Sequence, residues 1–108
     1  MKLNSLQKKV DDWINKYGVR YFDELTNMAQ LTEEVGEVAR IISRKYGEQS
    51  VRKGEVLDDL GEELADVLFV LVCLANQTGV DLEKSFDDKL KKKSKRDNTR
   101  HANNNKLK

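Results

Sequence analysis

The chain has 108 residues, 38% hydrophobic and 36% charged, which sizes it as one domain with a modest core and broad solvated faces. Its formal charge of +1 hides an asymmetry: residues 1–88 carry 11 Lys/Arg and 18 Asp/Glu, whereas residues 89–108 carry nine Lys/Arg and one Asp. No proline occurs and Cys73 is the only cysteine, so proline kinks and an intramolecular disulfide are excluded. Met1–Ser5 lacks the apolar stretch of a signal peptide. The apolar run Leu64–Ala75 is too short to span a bilayer and contains Asp66. A cytoplasmic protein with no membrane partner is expected.

Leu3, Leu6, Val10, Trp13, Ile14 and Tyr17 recur at helical spacing and predict a first helix over about residues 5–17, with Gly18 just past its end. Trp13 lies in that stripe and is expected to pack in the core, with contact to a substrate base as the alternative. A second helix is predicted over about 23–46, with Asp23 as its N-cap and Gly47 as its stop. Gly36 interrupts it, where glycine costs roughly 1 kcal/mol relative to alanine. Either a neighbouring helix or ligand comes close there, or the glycine is simply tolerated. Residues 47–54 read as a loop bounded by two glycines. A third helix over about 55–78 carries the most apolar run and should be the most buried; Cys73 lies in it and reads as a small buried hydrophobe. Asp81 opens a fourth helix, which runs to about Arg96 with a narrow apolar face of Leu82, Phe86 and Leu90. The polar remainder, with Asn103-Asn104-Asn105, is expected to be a disordered basic tail over 97–108. The reading is therefore all-α: a four-helix bundle over 1–96. Its narrow outer faces leave little core for one copy, so copies should associate.

Two acidic clusters stand out. Glu34 and Glu37 are three residues apart, as are Glu63 and Asp66, and such residues are neighbours on one helix face. Both pairs sit in apolar stripes: Leu31, Glu34, Val35, Val38, Ile41 and Ile42 in one helix, and Leu60, Glu63, Leu64, Val67, Leu71 and Leu74 in the next. A buried carboxylate needs a partner or a metal. Four of them facing one bundle suit a hard cation held by oxygen ligands, such as Mg²⁺. A divalent ion there could offset polyphosphate charge and activate water. No Gly-rich phosphate loop occurs, so phosphates would need metals and basic side chains; Lys89, Lys93 and Arg96 lie at helical spacing on the fourth helix. Spacing alone favours a solvated basic face for these three. It also leaves the substrate open.

Glu33, Glu34 and Glu37, then 25 intervening residues, then Glu63 and Asp66 form an EExxE…ExxD pattern. With Leu31-Thr32, Val67-Leu68-Phe69 and Leu74-Ala75-Asn76 around it, this resembles the MazG-like all-α nucleoside triphosphate pyrophosphohydrolases over roughly residues 5–96. The resemblance implies Mg²⁺-dependent hydrolysis (Mn²⁺ as a substitute) of a nucleoside triphosphate, a dNTP or noncanonical NTP, at the α–β bond. The products would be a monophosphate and pyrophosphate, as in a house-cleaning enzyme. It implies Glu34, Glu37, Glu63 and Asp66 as metal ligands and Glu33 as an outer or water-activating acid. Asn76, Lys89 and Arg96 would be nucleotide contacts, and a homodimer or homotetramer the assembly. Lys93 stands where many relatives have Asn. The alternative is a noncatalytic bundle that binds nucleotide or a protein. A di-iron bundle would need Glu-x-x-His motifs, and the one histidine, His101, lies in the tail. No specific nucleic-acid partner is expected, because the acidic body repels phosphates and no recognition motif accompanies the tail.

Overall fold

The computed structural model describes all residues, 1–108. Four long helices and no strands make up the chain: α1 (Leu3–Trp13), α2 (Glu24–Lys45), α3 (Leu60–Gln77) and α4 (Leu82–Asp97). α1 runs on into a single wide turn over Ile14–Gly18. Three of the four starts are capped by an aspartate. The Thr26 N–H donates to Asp23, the Glu62 N–H to Asp59 and the Lys84 N–H to Asp81, each satisfying a donor that the first turn leaves free.

α3 begins at Leu60, five residues later than the periodicity predicts. The reason is Glu55. Its carboxylate accepts from Arg40 at 2.7 Å and from Arg44 at 2.9 Å, both on α2, and from the Arg52 N–H at 3.3 Å. This clasp ties residue 55 to α2, and the helix waits for the next capping residue, Asp59. α3 is the most buried helix, contributing Glu63, Val70, Val72, Cys73 and Ala75 to the interior.

The central core unites Val10 and Ile14 of the first segment with Val72 and Cys73 of α3, flanked by Leu6, Tyr21, Phe69 and Leu82. Val72 and Ile41 are wholly enclosed, each worth about 1.5–3 kcal/mol of burial. Burial also pushes the Cys73 thiol upward, which suits an inert packing role. Polar ties fix the end of the bundle. Gln7 donates to Asn76 Oδ1 and to the Val80 carbonyl, and its own oxygen accepts from the Leu82 N–H.

The apolar stripes are only half used within one copy. Val35, Ile42, Leu64 and Leu71 remain 41–50% exposed, because α2 and α3 meet along a neighbouring line through Asn27, Ile41, Glu63 and Val70. Trp13 likewise is 49% exposed rather than enclosed, resting edge-on against Phe69. α4 turns 104° away from α3 and buries no residue. The radius of gyration is 17.8 Å, against about 13 Å for a compact chain of this length. Beyond α4, residues 98–107 form turns and one 3₁₀ turn, Asn105–Leu107. Asp97 anchors the first of these: Arg96 and Arg100 donate to it and hold its carboxyl down to about 2. No single helix is long and apolar enough to cross a membrane.

Candidate active site

α2 and α3 run against each other, Asn27 of one meeting Gln77 of the other. Their middles bring carboxylates together. Glu34, Glu63 and Asp66 offer oxygens that all lie within 4.8 Å of one another. Glu63 is 8% exposed, and neither a lysine nor an arginine pairs with it. Burial pushes its carboxyl upward, and the neighbouring Asp58 adds to the effect, as do the charges of Asp66 and Glu34. A buried carboxylate among like charges is held in this state only at a cost. A divalent cation would remove that conflict. The donors are all oxygen, one is buried and two are more open, which suits a hard ion that keeps some of its water.

Glu37 stands one turn along α2 from Glu34. It is half exposed and lies 3.6 Å from Arg40, outside the group of three. Glu33 is exposed on the adjoining face of α2. Asn76 lies at the far end of α3, with its amide committed: Oδ1 accepts from Gln7, and Nδ2 donates to the Gln7 carbonyl and to the Tyr21 hydroxyl. Lys89 and Arg96 sit on the exposed α4, which packs on α1, and Arg96 is paired with Asp97. The structure therefore brings Glu34, Glu63 and Asp66 together, sets Glu37 and Glu33 beside them, and holds Asn76, Lys89 and Arg96 elsewhere in the single copy.

Two features escaped the sequence reading. Asp58 is one: it stands beside Glu63, three residues on from Glu55, which is clasped to α2. Burial alone would raise Glu55, but the Arg52 N–H and the two guanidinium groups outweigh it and hold its carboxyl below the ordinary value. The other is a cavity of about 300 Å³ between the first segment, α2 and α3. Its walls include Trp13, Tyr21, Phe22 and Phe69, with the amides of Asn27 and Gln30 among them. Tyr21 is fixed in that wall by donating to Asp11 at 2.6 Å; burial, then the bond to Asp11, pushes its hydroxyl up to about 12. Gln30 is four residues from Glu34, and Val70 four from Asp66. The cavity lining thus includes residues one helical turn along α2 from Glu34 and one turn along α3 from Asp66. The polar Asn27 at heptad spacing from Glu34 and Ile41 was the available signal.

These features define an all-helical protein whose convergent carboxylates suit a hard cation beside an aromatic-walled cavity. Comparison with known proteins narrows the class. The family described as the MazG nucleotide pyrophosphohydrolase domain matches residues 22–101. The protein YpjD of Bacillus subtilis (strain 168), described as uncharacterized, is 42% identical over 98 residues, which are 91% of this chain and 88% of that protein. The crystal structure of YpjD shares 40% identity with a TM-score of 0.75, covering 85% of this chain and 92% of that one. That of a Bacillus-conserved MazG protein, described as a nucleotide pyrophosphohydrolase, shares 39% identity with a TM-score of 0.71, covering 85% and 88%. The chain belongs to the MazG nucleotide pyrophosphohydrolase family.

Proposed function

We propose that the chain hydrolyses nucleoside triphosphates, dNTPs or noncanonical NTPs, at the α–β bond with Mg²⁺, yielding a monophosphate and pyrophosphate. The observation that carries this is the meeting of Glu34, Glu63 and Asp66 within 4.8 Å, one helical turn from residues lining a cavity of nucleobase character. Water adds across the bond: its oxygen joins the α-phosphorus and the Pα–O bond to the β-phosphate breaks. Glu34, Glu63 and Asp66, with Glu37 once it leaves Arg40, would hold the cation. When bound, Mg²⁺ (or Mn²⁺) offsets phosphate charge and lowers the pKa of its water. Glu33, on the next face of α2, is the acid left free to take a proton from water. Aromatic walls stack a base, worth about 1–3 kcal/mol. Asn76 serves by fixing Tyr21 in that wall.

A second copy completes the assembly in this reading. Val35, Ile42, Leu64, Leu68 and Leu71 form an exposed apolar face on α2 and α3, and Phe86 and Leu90 are exposed on α4. A homodimer or homotetramer would cover them. Lys89 and Arg96 would then reach phosphate across the interface rather than within one chain. The catalytic domain is residues 1–96 and the tail 97–108 is an appendage of a cytoplasmic enzyme. The test is a hydrolysis panel of canonical and modified triphosphates with Mg²⁺. Turnover lost in EDTA and in Asp66→Asn supports the proposal; turnover unchanged by Asp66→Asn would remove the assigned ligand set. A monomeric mass by sedimentation at micromolar concentration would overturn the assembly.

A further inference from the structure

Asn27 is the most buried polar residue in the chain, at 4% exposure, and the way its amide is held gives it a direction. Its Nδ2 donates to the Phe22 carbonyl at 3.3 Å and to Gln77 Oε1 at 2.7 Å. Gln77 in turn donates through Nε2 to the same Phe22 carbonyl at 2.8 Å. A backbone carbonyl can only accept, so it fixes the orientation of both amides. With both N–H groups used, Asn27 faces outward with Oδ1. No donor of the protein meets that oxygen, yet no side-chain polar atom is both wholly buried and without a partner. Oδ1 is thus an acceptor that cannot turn and is not sealed off, on a residue that lines the aromatic cavity. Gln30, the other amide there, makes no side-chain hydrogen bond and can present either end. Arg20 is exposed at the rim and donates to the Tyr21 carbonyl.

Resting on the reading of this cavity as the nucleoside subsite, we propose that Asn27 Oδ1 selects the base by accepting a hydrogen bond from an exocyclic amino group. The favoured substrates are then triphosphates of amino-bearing bases, cytosine or adenine in type. Their oxo counterparts, uracil and hypoxanthine, set an acceptor against a fixed acceptor. An unpaired buried polar group of this kind lowers kcat/KM for the oxo substrate by about tenfold to a hundredfold.

The test measures kcat/KM with Mg²⁺ for two matched pairs, dCTP with dUTP and dATP with dITP. The expected result is at least a tenfold preference for the amino member in the pair that the cavity accepts. Parity in both pairs, or a preference for the oxo member, overturns the proposal. Gln77→Met releases the clamp and lets Asn27 turn, so the preference should shrink selectively; a uniform loss for both members with the ratio intact would also overturn it. Asn27→Leu should bring the pair to parity, and an undiminished ratio there counts against the proposal. If no triphosphate is hydrolysed, the activity reading fails but the subsite is still testable. Trp13, the one tryptophan, lines the cavity and reports binding of dCMP against dUMP, and of dAMP against dIMP, without metal. Tighter binding of an amino member sustains the proposal; equal binding, or none, ends it.

Discussion

Mg²⁺ should stabilise the fold, and Glu63→Gln should both mimic and abolish that effect. Glu63 is a buried carboxylate facing Asp58, Asp66 and Glu34 with no cationic partner. A ligand that binds only the folded state at a hundred times its dissociation constant stabilises it by about 2.7 kcal/mol. A chain of 108 residues melts with an entropy on the order of 0.2 kcal/mol per degree. The expected rise in Tm is therefore about 12 °C. Glu63→Gln keeps the packing volume but removes the repelled charge, so its metal-free Tm should exceed that of the parent while the Mg²⁺-induced rise largely disappears. Differential scanning calorimetry at pH 7.5, with EDTA and then with Mg²⁺ from micromolar to millimolar, reads both. An unchanged Tm in the parent up to millimolar Mg²⁺, or the same rise in parent and variant, would show that Glu63 holds no stabilising ion.

The raised carboxyl of Glu63 also sets a pH dependence. Above its folded pKa the group is ionised among like charges. As pH rises from the ordinary value of 4.5 through the raised one, this residue's contribution to metal-free stability falls, because the folded state holds the proton more tightly than the unfolded state. Metal binding needs the deprotonated form, so Mg²⁺ affinity by calorimetric titration should weaken as pH drops through the same window, and more in the parent than in Glu63→Gln. At Gly36 an added Cβ would meet nothing within 4 Å; Gly36→Ala should stabilise a single copy by about 0.5–1 kcal/mol in urea melts, and destabilisation would show that another copy approaches there. Val19 is exposed with φ at +69°, a costly angle for a β-branched residue; Val19→Gly should raise the urea midpoint, and a lowered midpoint would contradict the strain. Deletion of residues 98–108 should leave cooperative melting intact, since their hydrogen bonds are local and none of them is buried; a broad, non-cooperative transition would make the tail part of the fold.

The helices were legible because their signals are local. Asp23 and Asp81 cap α2 and α4 where the spacing predicts them. The start of α3 was not, because it depends on Glu55 finding Arg40 and Arg44 across 11–15 residues of chain. Convergence of Glu34, Glu63 and Asp66 followed from their placement in apolar stripes. Which half of each stripe faces inward did not, because Val35 and Leu64 satisfy the same periodicity as Ile41 and Val70 and differ only in what α2 and α3 leave for another surface. Trp13 fits the first helix's stripe, yet the cavity beside it leaves half of it open. The cavity depends on where the turn after α1 places Tyr21 and Phe22, and no motif encodes that.

The proposed cleavage, directed by this acidic centre, lies between the α- and β-phosphates. It is tested most directly by following a turned-over nucleoside triphosphate by ³¹P NMR with Mg²⁺, where the products are distinguished as they form. Equal growth of monophosphate and pyrophosphate signals, absent in Asp66→Asn, is the predicted result. Growth of diphosphate and inorganic phosphate instead would put the cleavage at the β–γ bond and overturn the proposal.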